Sequence, residues 1–294
     1  MVDAAAVPLI KARLAILAGR GRFPVLVSTS AREIGHDPFI VAIDGEADQD
    51  WSGFDHCVLR IGDVAGLSAL IRREKIGTLV LAGGIDRRPR IRDLRPTWQS
   101  LAAAPSLLRT LLSAGDDQML RAAIGVLERQ GVTVVGAQVV APGLLGHAGP
   151  LGKLGPKPSD QADIAAAEQA ALALGRLDVG QGAVAVGGRV IALEGLEGTD
   201  LMLERVAALR TAGRLPRSNG GVLVKMCKPD QDERADLPSI GPDTVTNAHA
   251  AGLNGIAIEA ERALVLERDL LVAEADRLGL FVTGLRSDDK RRTQ

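Results

Sequence analysis

Short apolar runs of strand length alternate with stretches of helical period along the first half of this chain, and that alternation restricts the fold more than any other feature. Residues 14–18, 39–43, 56–61, 78–82 and 132–135 are the apolar runs. Between them lie helical patterns from Pro24 to about Ile34, over 64–75 with Leu67, Leu70 and Ile71 on one face, and over 101–113 and 116–130. Apolar strands joined by amphipathic helices pack as a mostly parallel sheet with helices on its faces. The expectation is a Rossmann-like α/β domain over 1–141.

Between Pro142 and Pro158, nine of seventeen residues are glycine or proline. Neither a helix nor a central strand tolerates that density, so the stretch is expected to link two domains. Residues 159–286 then read as a second α/β (α+β) domain. Its pattern is a helix over 162–174, a strand pair at 183–186 and 190–193 turning at Gly187-Gly188, a helix over 200–209 and a strand at 221–224. A helix over 242–251, strands at 255–259 and 264–266, a helix over 269–278 and a strand over 280–284 follow. A binding cleft is expected between the domains, and the polar tail 287–294 is expected to fray.

Composition excludes several classes. The 294 residues carry a net charge of −1, against the basic balance of a nucleic-acid binder. Aromatic residues are 2% of the chain and tyrosine is absent, so base-stacking platforms are not expected. Cys57 and Cys227 lack zinc-ligand spacing and suit a reducing compartment. No apolar run reaches the roughly 18 residues needed to cross a bilayer, and the first 18 residues do not read as a signal peptide.

Chemistry concentrates in the loops. Residues 225–241, KMCKPDQDERADLPSIG, place Asp230, Asp232, Glu233 and Asp236 among Lys225, Lys228 and Arg234 directly after a buried strand. Carboxylates without histidine or cysteine suit a hard divalent cation, and the cations suit phosphate oxygens. A solvated charged loop is the plainer reading, weakened by Asp236 standing beside the apolar turn Leu237-Pro238. Gly19-Arg20-Gly21 after the first strand allows close backbone approach at a helix N-terminus, an anion site or a plain tight turn. With Asp44 closing the second strand, the same turn admits a nicotinamide-dependent oxidoreductase, although Pro24 stands where a third glycine would be. The loop after Gly83 gathers Asp86, Arg87, Arg88, Arg90, Arg92 and Arg95, fitted either to a diphosphate or lipid headgroup or to solvent. In the second half, Gln181, Glu197, Thr199, Lys225, Lys228, Gln231 and Asp236 make a convergent polar set. Thr199 also reads as a helix N-cap.

Five stretches carry a family resemblance: LAGRGRFP (17–24), LAGGIDRRP (81–89), GDDQMLR (115–121), LDVGQGAVAVGGRVIALEGLEGTDLMLERV (177–206) and KPDQDERADLPSIG (228–241). The chain resembles the UDP-2,3-diacylglucosamine diphosphatases of the LpxI type, enzymes of lipid A synthesis. The resemblance implies magnesium-dependent attack of water on the α-phosphorus of UDP-2,3-diacylglucosamine, yielding UMP and lipid X. It implies Asp236, in the family's DLP motif, as the essential residue, with Asp232 and Glu197 as further metal candidates. Gly19, Gly21, Gly83, Asp86, Arg88, Gln181, Glu197, Thr199, Lys225, Lys228 and Gln231 are the candidate substrate-binding residues. A homodimer, peripheral to the cytoplasmic face of the inner membrane and without nucleic-acid partners, is also implied. A non-catalytic nucleotide-sugar or lipid-binding protein is the remaining alternative.

Overall fold

The computed structural model describes residues 12–85, 116–216, 220–229 and 231–286. The arginine loop with Asp86 and Arg88, the helix expected over 101–113 and the tail 287–294 lie outside the described residues. The chain divides into two units. The first holds residues 1–143 together with Asp232–Asp236; the second holds Leu144–Gln231 and the residues from Leu237 onward.

In the first unit, β1 (Arg13–Ala18), β2 (Phe39–Ile43), β3 (His56–Leu59), β4 (Ile76–Ala82) and β5 (Thr133–Val135) form one sheet in the order β3-β2-β1-β4-β5. Every pairing in it is parallel. This is the Rossmann-like sheet that strand–helix alternation predicts, and its order reverses between β1 and β4. Helix α1 (Phe23–Glu33) opens with Pro24 in its first turn, where the missing N–H costs nothing. Helix α2 (Val64–Glu74) is capped by Asp63, whose side chain accepts the Gly66 N–H at 2.9 Å. Leu67, Leu70 and Ile71 are buried on its inner face, the stripe that the sequence spacing indicates. Helix α3 (Asp116–Glu128) and the single-turn α4 (Ala137–Val140) complete the unit's described helices.

The second unit is built on a mixed sheet. Its strands are β6 (Gly149–Pro150), β7 (Gly182–Val186), β8 (Arg189–Leu193), β9 (Val222–Lys225), β11 (Gly255–Glu259) and β13 (Phe281–Leu285), in the order β6-β13-β11-β9-β7-β8. β9, β11 and β13 run parallel, while β6, β7 and β8 are antiparallel to their neighbours. β10 (Ser239–Ile240) and β12 (Leu264–Val265) make a separate two-stranded parallel pair. Helix α5 (Gln161–Arg176) covers one face of the mixed sheet, where Ile164, Ala167 and Ala171 pack against Ala183, Ala185, Val222 and Val224. The other face packs Val184, Leu223, Ile256 and Ile258 against α6 (Gly198–Thr211), α7 (Pro242–Ala250) and α8 (Arg268–Leu278).

From Leu144 on, the glycine- and proline-rich stretch 142–158 takes part in this second fold, where a linker was expected. β6 pairs with β13, the Leu151 N–H reaches the Val282 carbonyl oxygen, and the Gly146 N–H reaches that of Ala263. Density of glycine and proline argues against helices and central strands, but it permits a two-residue edge strand.

Candidate active site

β9 delivers Lys225 to the carboxyl end of the central strand of the mixed sheet, the edge where open α/β sheets place their ligands. Lys225 is 5% exposed. Its Nζ donates to Thr199 Oγ1 at 2.7 Å and to the Ser239 carbonyl oxygen at 3.1 Å, and lies 3.8 Å from Glu194 Oε1. Thr199 donates its own hydroxyl proton to Glu194 Oε1 at 2.5 Å. The second oxygen of Glu194 accepts the Gln181 N–H at 3.2 Å. Glycine opens β7 because a Cβ at position 182 would stand 2.8 Å from that oxygen. A buried lysine and a buried glutamate each require a partner, and here they share Thr199. The helix cap expected at Thr199 falls instead on Glu197, with Gly198 at φ +78 starting α6. Thr199 therefore lies inside the first turn, and its hydroxyl is committed to the lysine and the glutamate.

A second polar group forms where the chain leaves β9. Lys228 Nζ donates to Asp178 Oδ1 at 2.5 Å, and Asp178 adopts a left-handed φ of +52. Gln231 Oε1 accepts the Lys228 N–H at 3.0 Å and the Cys227 thiol at 3.3 Å. The Cys227 N–H reaches Glu259 Oε2 at 3.0 Å, and Arg262 stands 3.4 Å from the other oxygen of this fully buried carboxylate. Gln181 joins through its backbone, accepting the Met226 N–H at 2.9 Å. Its side chain belongs by strand alternation with Ala183 and Ala185, on the opposite face from Val184 and Lys225. The side-chain oxygen of Gln181 is buried and finds no hydrogen-bond partner among the described residues.

The polar set expected to converge thus separates in two. Lys225 and Thr199 meet on one face of the sheet with Glu194. Lys228 and Gln231 meet beyond the strand end with Asp178 and Cys227. Glu197 joins neither group and accepts from Arg205 Nη2 at 3.0 Å. Glu194 and Glu259 were not among the sequence candidates. Glu194 directly follows the strand β8 and Glu259 is the last residue of β11, and a charge placed at the end of an apolar run was the available signal.

In the first unit, Gly19, Gly21 and Gly83 sit at the point where the strand order reverses. The loops after β1 and β4 are joined by backbone hydrogen bonds: Gly19 N–H to Ala82, Arg20 N–H to Gly84 and Gly84 N–H to Arg20, each to the carbonyl oxygen. A Cβ on Gly19 would lie 2.3 Å from the Gly84 oxygen, and one on Gly83 would lie 2.7 Å from that of Arg20. The Gly21 N–H donates to Asp48 Oδ1 at 2.9 Å. Hydrogen bonds from Gln49 and from this amide hold the Asp48 carboxyl below its ordinary pKa. The amides a nicotinamide dinucleotide would need are thus turned to the neighbouring loop and to Asp48.

Asp232 and Asp236 count with this unit. Both carboxylate oxygens of Asp232 accept from Arg234, at 2.9 and 2.7 Å, which keeps its pKa below the usual value. Asp236 is exposed. Among the described residues no three histidine, cysteine, aspartate or glutamate side chains converge as a metal centre. Two of the three candidate ligands, Asp232 and Glu197, are engaged by arginines. Magnesium ordinarily takes one or two protein carboxylates together with phosphate oxygens and water, which leaves Asp236 as the candidate donor.

Residues 13–144 match the model of the LpxI N-terminal domain and residues 147–283 that of the LpxI C-terminal domain. The chain belongs to the LpxI family. A curated LpxI relative, the UDP-2,3-diacylglucosamine pyrophosphatase LpxI of Caulobacter vibrioides (strain ATCC 19089 / CIP 103742 / CB 15), is 38% identical over 275 residues. That alignment covers 93% of this chain and 97% of the relative. Among solved structures, an isoflavone reductase aligns at a TM-score of 0.26 and 12% identity, over 95% of this chain and 80% of that one, too distant to carry an argument. The boundary between the LpxI domains, at residues 144–147, falls close to the division between the two units.

Proposed function

We propose that this protein hydrolyses UDP-2,3-diacylglucosamine to UMP and 2,3-diacylglucosamine 1-phosphate, a step of lipid A biosynthesis. The observation carrying this reading is the 38% identity, nearly end to end, with a pyrophosphatase named for that substrate. In the proposed reaction a water oxygen bonds to the α-phosphorus, the bond to the bridging oxygen breaks, and the sugar 1-phosphate departs. Asp236, exposed and next to the buried Leu237, orients the attacking water. Lys228, which carries one carboxylate partner in Asp178, offsets charge on the phosphoryl oxygens. Lys225 is given a structural part, because protein acceptors already meet its ammonium group.

Magnesium belongs to the proposal, with Asp236 as the donor; when bound it would withdraw charge from the phosphoryl oxygens. The test is UMP release from UDP-2,3-diacylglucosamine with magnesium, with EDTA and with Asp236→Ala. Release lost in the folded variant supports the reading, and near-normal release from that variant sinks the assignment of Asp236. Homodimerisation and a peripheral site at the inner membrane are proposed alongside, to be tested by sedimentation and by liposome flotation. No described helix is long and apolar enough to cross a membrane.

A further inference from the structure

Asp232–Asp236 counts with the first unit although the residues on both sides of it count with the second. Contacts with α4, with the apolar core of the sheet and with α3 hold this five-residue segment there. Gln138 Nε2, on α4, donates to the Glu233 carbonyl oxygen at 3.3 Å. Ala235 packs against the apolar core of the sheet. Arg234 Nη1 donates to Glu128 Oε1, at the end of α3, at 2.8 Å. The same guanidinium grips Asp232 through Nε and Nη2, a two-point fork that is more directional than a point charge. The backbone N–H of Arg234 also reaches Asp232 Oδ1, at 3.1 Å. The carbonyl oxygen of Asp232 then accepts the N–H groups of Ala235 at 2.8 Å and Asp236 at 3.4 Å. The turn closes on Asp236 itself. Arg121 lies seven residues before Glu128, on the same stripe of α3, and its charge also favours ionised Asp232.

We propose that Arg234 and Asp232 form a clamp, anchored on α3, that positions Asp236 for hydrolysis. The proposal rests on the reading of Asp236 as catalytic. It gives Asp232 a role other than metal ligand, since both its oxygens serve the guanidinium. A segment this short has no core of its own, so its shape depends on these polar contacts. A misplacement of about 1 Å in a catalytic group costs about 100-fold in rate.

The experiment compares wild type, Arg234→Ala, Asp232→Asn and Asp236→Ala in UMP release across a magnesium titration, with thermal melting of each protein. Arg234→Ala is expected to lose roughly 10- to 100-fold in kcat with KM changed by less than about threefold. Free guanidinium should restore part of that loss, which a merely structural role would not predict. Asp232→Asn should lower kcat without raising the magnesium concentration for half-maximal rate. Wild-type kcat in either folded variant overturns the clamp. So does a tenfold or greater rise (about 1.4 kcal/mol) in the magnesium requirement of Asp232→Asn, which would mark a ligand. If Arg234→Ala does not fold, Asp232→Asn decides the matter. No turnover by folded wild type, or full turnover by Asp236→Ala, overturns the functional reading and the clamp with it. Turnover that depends on Asp236 but not on Arg234 or Asp232 overturns the clamp alone.

Discussion

The Lys225 ammonium group donates a hydrogen bond to the Thr199 hydroxyl at 2.7 Å, and the Thr199 hydroxyl in turn donates one to Glu194. Two opposite charges, with side chains 6% and 8% exposed, are thereby joined through a neutral go-between. The linkage ties the end of β9 to the first turn of α6 and to the residue that follows β8.

Removing one charge of this pair should be costly, because the other is left buried without compensation. Lys225→Met is expected to destabilise the fold by about 3–5 kcal/mol. The double variant with Glu194→Gln should recover much of that loss. Urea denaturation of the three proteins measures it, and equal stability of single and double variants would refute the coupling.

Asp163 caps the turn of the β7–β8 hairpin by accepting the Gly188 N–H, and burial raises its pKa above the ordinary 3.8. An acid whose folded pKa is raised binds its proton more tightly in the folded state. Its cost to stability is therefore absent below pH 3.8, grows as pH rises through the window above that value, and is fully present once the folded group ionises. Asp163→Asn, which keeps an acceptor, should match wild type at pH 3 and melt at an equal or higher temperature at pH 7. A lower melting temperature of the variant at neutral pH would count against this.

Gly19 and Gly21 occupy one turn for different reasons. Gly21 has φ +88 with open space around it, so alanine there should cost about 1–2 kcal/mol from backbone conformation alone. Alanine at Gly19 meets the Gly84 oxygen at 2.3 Å and must displace backbone, so the loss should be greater. Chemical denaturation of both variants gives the order, and the reverse order would be incompatible with the joined loops.

Because the amides of the Gly19 turn are directed to Ala82, Gly84 and Asp48, no saturable binding of NADH is expected. Titration followed by nicotinamide fluorescence checks this, and saturation at micromolar cofactor would restore the oxidoreductase alternative.

Much of the fold was legible because strand and helix periods are local. The run 39–43 and the stripe of Leu67, Leu70 and Ile71 declare themselves within a few residues of sequence. What was not legible depends on partners distant along the chain. Nothing near Gly149-Pro150 announces a pairing with Thr283 and Gly284. Asp232 read as a metal candidate because its neighbours are charged, and only the fold shows Arg234 occupying both its oxygens. Thr199 read as a cap because threonine before an acidic turn commonly is one. Its actual position follows from Gly198, whose left-handed backbone starts the helix two residues earlier. The DLP motif was legible, but the return of its preceding residues to the first unit was not.

The strand Gly149–Pro150 has a consequence for how molecules of this protein meet in a crowded cell. It is the outermost strand on one margin of the mixed sheet, and proline offers no N–H to a further strand. Two residues thereby shorten and blunt that margin against an incoming chain, so a stretch too rich in glycine and proline to build a core serves as protection against aggregation.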